Sequence, residues 1–221
     1  MNVLIIGASR GIGLEFVRQY RAEGARVTAT ARDDAGLARL QELGATALRL
    51  DVADAASASG LGRRIAGGTF DIAIVNAGVS GDRVAPLEPP AEANFDAVMR
   101  TNVLGPMRVL PQIAEALASG AKLAVLSSRM GSIGSRTSAS SWLYRASKAA
   151  VNSVLMDTAL TLGSRAACVA FHPGWVRTDM GGSGADIDDA TSVAGMRKVI
   201  AALKPSETGA YRNYDGEAIP W

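Results

Sequence analysis

Cysteine and histidine are almost missing from this chain: among its 221 residues there is one of each, Cys168 and His172. A single cysteine excludes a disulfide within the chain and any cysteine-cluster zinc site. A single histidine excludes metal centres built from several imidazoles. Cys168 is followed by Val169, Ala170 and Phe171, the setting of a core thiol rather than of a nucleophile. An excess of charge is lacking too. The 23 lysines and arginines face 21 acidic residues, the net charge is +2, and the arginines form no basic run, so nucleic acid is not an expected partner. No apolar stretch reaches the length of a membrane span. The short run Val3–Ile6 lacks the charged flank of a secretion signal. The expectation is a cytoplasmic protein with no membrane partner.

What is present is a rhythm. Short apolar runs without polar alternation fall at Val3–Ile6, Ala25–Ala31, Thr46–Leu50, Ile72–Val75, Leu123–Ser127 and Ala167–Phe171, as in strands buried on both faces. Helix-length segments lie between and after them, at Ile12–Glu23, Ala35–Leu43, Ala55–Ile65, Ala91–Leu117, Ser141–Leu162 and Asp188–Leu203. Gly24 and Gly44 stand where helices commonly end. The alternation predicts a doubly wound α/β sheet over residues 1–221, parallel and covered by helices on both faces. Two irregular stretches follow strand ends, where such sheets bind ligands: Val79–Pro90, with three prolines, and Pro173–Asp186, with Gly174, Gly181, Gly182 and Gly184.

The run Gly7-Ala8-Ser9-Arg10-Gly11-Ile12-Gly13 has two readings. Gly7 to Gly11 fits G-x-S-x-G, a nucleophile elbow with Ser9 as the nucleophile. The same run also fits a glycine turn that holds a dinucleotide's pyrophosphate at a helix N-terminus. An elbow needs preceding strands to supply an oxyanion hole, and here only six residues precede Gly7. The cradle accounts for more residues: Gly7 for the turn, Gly11 and Gly13 for close approach, Ser9 and Arg10 for donors and charge. At the end of the second run, Arg32 is suited to the extra phosphate of NADP, while Asp33 and Asp34 leave room for NAD.

Ser127-Ser128 closes the fifth run, and Tyr144 and Lys148 share a helix face at i and i+4. A phenol near pKa 10 is a poor acid–base group at neutral pH, and a neighbouring ammonium favours its phenolate. A serine hydroxyl beside it could bind a substrate oxygen. Together they suit proton exchange with a carbonyl or an alcohol.

With these residues the sequence resembles the classical short-chain dehydrogenases/reductases along essentially its whole length. The resemblance rests on Gly7-x-x-x-Gly11-x-Gly13, Asp51, Asn76-Ala77-Gly78, Asn102, a serine before Tyr144-x-x-x-Lys148, and Pro173-Gly174-x-Val176-x-Thr178. It implies a single-domain Rossmann fold of about seven strands, the last around Arg212–Tyr214. It implies Tyr144 as general acid/base, Lys148 lowering its pKa and binding the nicotinamide ribose, Ser128 positioning the carbonyl and Asn102 holding a relay water. The cofactor would meet Gly7, Ser9, Arg10, Gly11, Ile12, Gly13 and Arg32, with Asp51 and Val52 at the adenine. Asn76, Ala77, Gly78, Pro173, Gly174, Val176 and Thr178 would line the rest of it. Asn102 as a simple helix-backbone partner, and Pro173-Gly174 as a plain turn, are the alternatives.

A narrower likeness is to the sniffer and C-factor group of carbonyl-reductase-like members. Ser127–Ile133, Tyr144-Arg145-x-Ser147-Lys148, His172–Met180 and the tail Tyr214-Asp215-Gly216-x-x-Ile219-Pro220-Trp221 carry it. It implies NADP(H) ahead of NAD(H), a small carbonyl or alcohol substrate, and a homodimer or homotetramer. A C-factor-type signalling protein with incidental turnover is the other function in view. Met130, Trp142, Trp175 and Met180 are candidate pocket walls, with core packing as the alternative. Three departures stand out: Ile6 in place of the usual threonine, Val75 in place of an asparagine, and a longer spacing from Ser128 to Tyr144, of the kind surface loops tolerate.

Overall fold

The computed structural model describes residues 1–82 and 85–221. Among the described residues seven parallel strands form one sheet, in the order β3-β2-β1-β4-β5-β6-β7. They are β1 Asn2–Ile6, β2 Arg26–Ala31, β3 Thr46–Arg49, β4 Phe70–Val75, β5 Leu117–Leu126, β6 Ala166–His172 and β7 Ala210–Asn213. Helices α1 Gly11–Ala22, α2 Asp34–Glu42, α3 Ala55–Ser59, α4 Leu61–Ile65, α5 Glu92–Met99, α6 Gly105–Glu115, α7 Trp142–Leu162 and α8 Asp189–Ala202 connect and cover them. No described helix is long and apolar enough to cross a membrane.

The unbroken apolar runs are explained by two-sided burial. Along β1, Leu4 and Ile6 face one core with Val109 and Ile113 of α6 and Val151 and Leu155 of α7. Val3 and Ile5 face the other, with Phe16 of α1, Leu40 of α2 and Val193, Met196 and Ile200 of α8. Alternate side chains leave opposite faces of a strand, so both must be apolar. Cys168 is a free, buried member of the first core, and burial pushes its thiol pKa up to about 11.

Three expected elements differ. The segment 91–117 is not one helix: a π-helical stretch, Arg100–Leu104, separates α5 from α6, and Leu117 already belongs to β5. Pro106 contributes no backbone donor at the start of α6. The helix expected over Ala55–Ile65 breaks at Gly60 into α3 and α4. The last strand begins earlier than expected, at Ala210. The irregular stretch Val79–Pro90 has no helix or strand in its described part; Arg83 and Val84 lie outside the described residues.

Strand order reverses between β1 and β4. Ile6 pairs with Val75 at their carboxyl ends, and the chain leaves both strands at this point. A crevice at such a switch point is where an open parallel sheet receives a ligand.

Candidate active site

The glycine turn fits only if it has no side chains. A Cβ on Gly7, whose φ is +85°, would stand 2.7 Å from the Ala77 Cα, and one on Gly13 would stand 2.2 Å from the Gly7 carbonyl oxygen. Asn76 closes the arrangement by donating its side-chain amide to that carbonyl at 2.5 Å. Thr30, fully buried in β2, accepts the Gly7 N–H at 2.9 Å. Helix α1 then starts with no side-chain cap and no acidic residue in its first turn. By contrast, Asp33, Asp54 and Asp188 accept backbone N–H bonds at the starts of α2, α3 and α8. Unpartnered N–H groups and the helix dipole favour an anion at the start of α1.

The carboxylates after β2 are engaged elsewhere. Asp33 caps α2, accepting from Gly36 N–H at 2.7 Å, and Asp34 pairs with Arg49. Among the described residues Arg32 makes no side-chain hydrogen bond or ion pair, and it lines the cleft. Arg10 pairs across the cleft mouth with Asp179 at 2.6 Å, both side chains largely exposed. On the opposite wall, Thr178 stands 3.2 Å from where a Gly11 Cβ would lie. Its hydroxyl accepts from Gly181 N–H at 3.2 Å, and the Trp175 indole donates to the Gly181 carbonyl at 2.9 Å.

Asp51 lines the same cleft, with one carboxylate oxygen accepting from Ala53 N–H at 2.9 Å. Buried Asn102 lies in the π-helical stretch. Its amide donates to the Val79 carbonyl at 2.8 Å and to the Ser147 hydroxyl at 3.0 Å, and its oxygen accepts from Val79 N–H at 2.8 Å. Both amide hydrogens are therefore engaged in fastening the loop after β4 to α7, close to the backbone-partner alternative.

Tyr144 and Lys148 meet as the i, i+4 spacing implies, with the Lys148 ammonium nitrogen 5.6 Å from the Tyr144 ring centroid. Lys148 is buried and donates to the Leu126 carbonyl at 2.9 Å. Burial lowers its pKa to about 8. The Tyr144 phenol is not lowered. Burial pushes it up to about 12, the neighbouring Ser128 side chain works against this, and Tyr211 adds to it. Burial outweighs the ammonium here, which lies over the ring and donates to the Leu126 carbonyl. The two serines diverge as neighbours on an extended chain must. Ser127 donates to the Lys148 carbonyl at 3.4 Å, whereas Ser128 stands beside the phenol.

A cleft of about 400 Å³ joins these groups. Gly7, Ser9, Arg10, Gly11, Ile12, Arg32, Asp51, Val52, Asn76, Ala77, Gly78, Tyr144, Lys148, Pro173, Thr178 and Met180 line it, as do Thr30, Leu126 and Asp179, which sequence reasoning missed. Gly13, Asn102, Ser128, Gly174 and Val176 do not line it. Val176 is buried and paired with Ile187. Gly174 adopts φ +87° against the Ile187 side chain. Among the candidate walls Met130, Trp142 and Trp175 lie outside this lining, and Trp175 serves the loop instead. His172 does not line it either, which leaves Ser9 without the imidazole an elbow would need; burial lowers the His172 pKa to about 4.

The matching family model, short chain dehydrogenase, covers residues 1–187. The chain belongs to this family. It is 39% identical over 157 residues to the C-signal of Myxococcus xanthus, covering 70% of this chain and 94% of that protein. A short-chain dehydrogenase/reductase from Burkholderia multivorans, solved with bound NADP, superposes with a TM-score of 0.91 at 32% identity, over 100% of this chain and 99% of the other. The carbonyl reductase Sniffer of D. melanogaster superposes at 0.87 and 27% identity, over 100% and 99%. The fold class and the sniffer/C-factor likeness inferred from sequence agree with these matches.

Proposed function

We propose that this oxidoreductase reduces a small ketone or aldehyde with NADPH. The observation that carries the reading is one continuous cleft with an anion-ready glycine turn and Arg32, unpaired among the described residues, at one end and Tyr144 with Lys148 at the other. Its residues fit the cofactor: a turn that a single Cβ would fill, an uncapped helix start, and a free guanidinium where a 2′-phosphate would lie. The glycine turn and Thr178 would hold the pyrophosphate, Asp51 and Val52 would flank the adenine, and Asn76–Gly78 and Lys148 would support the nicotinamide end. With Asp33 and Asp34 both engaged, NAD(H) is the weaker ligand. When bound, the reduced nicotinamide supplies the hydride.

The protein's share is the proton. Its phenol, held protonated by burial, gives that proton to the substrate oxygen as negative charge develops there. Ser128, beside the phenol, donates to the same oxygen and fixes its position. Below pH 8 Lys148 is cationic and stabilises the phenolate left behind. Asn102 holds the Val79 loop and Ser147 in register with α7. Exposed Phe95, Leu104 and Met107 on the α5–α6 segment and Leu160 on α7 support self-association into a homodimer or homotetramer.

The test is NADPH oxidation over a panel of aldehydes, ketones, diketones and quinones, with Tyr144→Phe alongside. Turnover should drop by about 100-fold or more in the variant, with NADPH affinity retained. Tight NADPH binding without turnover by the unaltered protein favours a second reading, a cofactor-binding signalling protein, which the likeness to C-signal supports.

A further inference from the structure

Beyond the cleft, β7 and the segment after it are fastened to the strand end that bears Ser128. Tyr211 in β7 is buried, and its hydroxyl donates to the Ser128 carbonyl oxygen. That carbonyl also accepts from Gly131 N–H at 2.7 Å. Burial raises the Tyr211 pKa, while the Asn152 and Ser127 side chains beside the hydroxyl act the other way. The Trp221 ring stacks on Tyr211, with centroids 5.0 Å apart and planes 25° from parallel. The Trp221 carbonyl in turn accepts from Ile133 N–H at 2.8 Å and Gly134 N–H at 3.2 Å, and Arg129 pairs with Glu217 at 2.8 Å. From the other side, Gly131 packs so closely on α7 that a Cβ there would stand 2.8 Å from the Lys148 carbonyl carbon. The turn Arg129–Gly131 is gripped between α7 and the 211–221 segment.

We propose that Tyr211 is a positioning residue for Ser128. Ser128 lies beyond the end of β5, so no strand ladder holds its peptide group. Fixing its carbonyl fixes the direction of the Cα–Cβ bond, and with it the place of the Ser128 hydroxyl beside the Tyr144 phenol. Trp221 holds the Tyr211 ring at the angle this requires. The inference rests on the reading of Ser128 as the group that orients the substrate carbonyl. It gives a task to a tail that the reaction otherwise leaves idle.

Tyr211→Phe keeps the ring and its stack and removes only the hydroxyl. The expected result is a fall in kcat of about tenfold or more, with NADPH affinity within about twofold of the unaltered protein. In a Ser128→Ala background the same substitution should change kcat by less than about twofold, because the group it positions is gone. Trp221→Ala should reproduce the loss and Trp221→Phe should restore most of it, and this pair carries the test if Tyr211→Phe does not fold. A merely structural tyrosine would weaken both backgrounds equally and lower NADPH affinity. Unaltered kcat in Tyr211→Phe, or an equal loss in both backgrounds, overturns the assignment. Ser128→Ala at full turnover overturns the underlying reading of the site and the assignment with it.

Discussion

The two ends of the cleft are built by opposite means. The glycine-turn end is made of backbone: exposed N–H groups, glycines admitted where no side chain fits, and flanking charges largely open to water. The tyrosine end is made of side chains, half-buried Tyr144 and buried Lys148, whose protonation is displaced, the phenol to about 12 and the ammonium to about 8. Shape does the work at the first end, and low polarity does it at the second. The glycine-turn end should therefore fail when atoms are added, whatever their chemistry. The tyrosine end should fail when chemistry changes at constant shape.

The largest effect is expected from adding one methyl group. Gly13→Ala puts a Cβ against the Gly7 carbonyl, the Asn76 amide and the Ala8 Cα, and backbone atoms cannot yield as a flexible side chain would. Stability should fall by about 3 kcal/mol, read by urea unfolding, and NADPH binding should be lost in a fluorescence titration. Gly24→Ala is the control. It also adds a methyl, at φ +79° but with nothing within 4 Å, so it should cost about 1 kcal/mol through backbone strain and leave binding intact. Equal losses at the two glycines would break the claim that shape rules this end.

At the other end, Lys148→Met changes chemistry at nearly constant bulk. Turnover should fall by about 100-fold or more. The sharper readout is stability against pH. The folded pKa near 8 lies below the unfolded value of 10.5. Between these values the unfolded chain binds the proton and the folded one does not, so stability rises with pH there. Above pH 9 Cys168, which keeps its proton to about 11 when folded, offsets this rise, and above pH 10 Tyr20 and Tyr144, which resist ionisation to about 12, turn it into a fall. Lys148→Met should remove the rise between pH 8 and 9 and let the fall begin near pH 9. A rise that survives in the variant would show that Lys148 is not its source.

Much of this contrast could be read from the chain, for a physical reason. Two-sided burial writes itself as unbroken apolar runs, and a turn that excludes Cβ atoms writes itself as glycine, so the sheet and the cradle were legible. The Tyr144–Lys148 pairing followed from helix spacing alone. What stayed hidden depends on distant partners. Nothing near Asn102 in sequence says that its amide grips Val79 and Ser147. The π-helical stretch that interrupts the 91–117 segment has no local signature beyond Pro106. Met130, Trp142 and Trp175 are apolar and near the site in sequence, but apolarity does not say which way a side chain faces. The depth at which the Tyr144 phenol is packed, which raises its pKa, also depends on distant partners that helix spacing does not reveal.

Smaller, and confined to the shape-ruled end, is the effect of Arg32→Ala. Loss of one guanidinium–phosphate contact should weaken NADPH binding by about 10- to 100-fold and leave NADH binding nearly unchanged, so that selectivity collapses while the fold does not. Titration of both cofactors against the variant checks this, and a parallel loss for NADH would move Arg32 from the phosphate to a general electrostatic role.

The smallest expected effect comes from Thr30→Val, and it probes where the two modes of construction touch. Ile6, just before the turn, carries no hydroxyl, and Thr30 of the neighbouring strand supplies the one that takes the Gly7 N–H. Valine keeps the volume and removes the acceptor, so the Gly7 donor is left unpaired within the glycine turn. The cost should be about 1–2 kcal/mol of stability, with NADPH affinity reduced by less than tenfold, because the glycine turn keeps its shape. Restoring a hydroxyl from the other strand, Ile6→Thr in the Thr30→Val background, should recover part of the loss. Recovery would show that the donor's satisfaction matters and its source does not; a double variant no better than Thr30→Val would mean that the cradle depends on the β2 hydroxyl in place, and that this part of the shape-ruled end is held by one particular side chain.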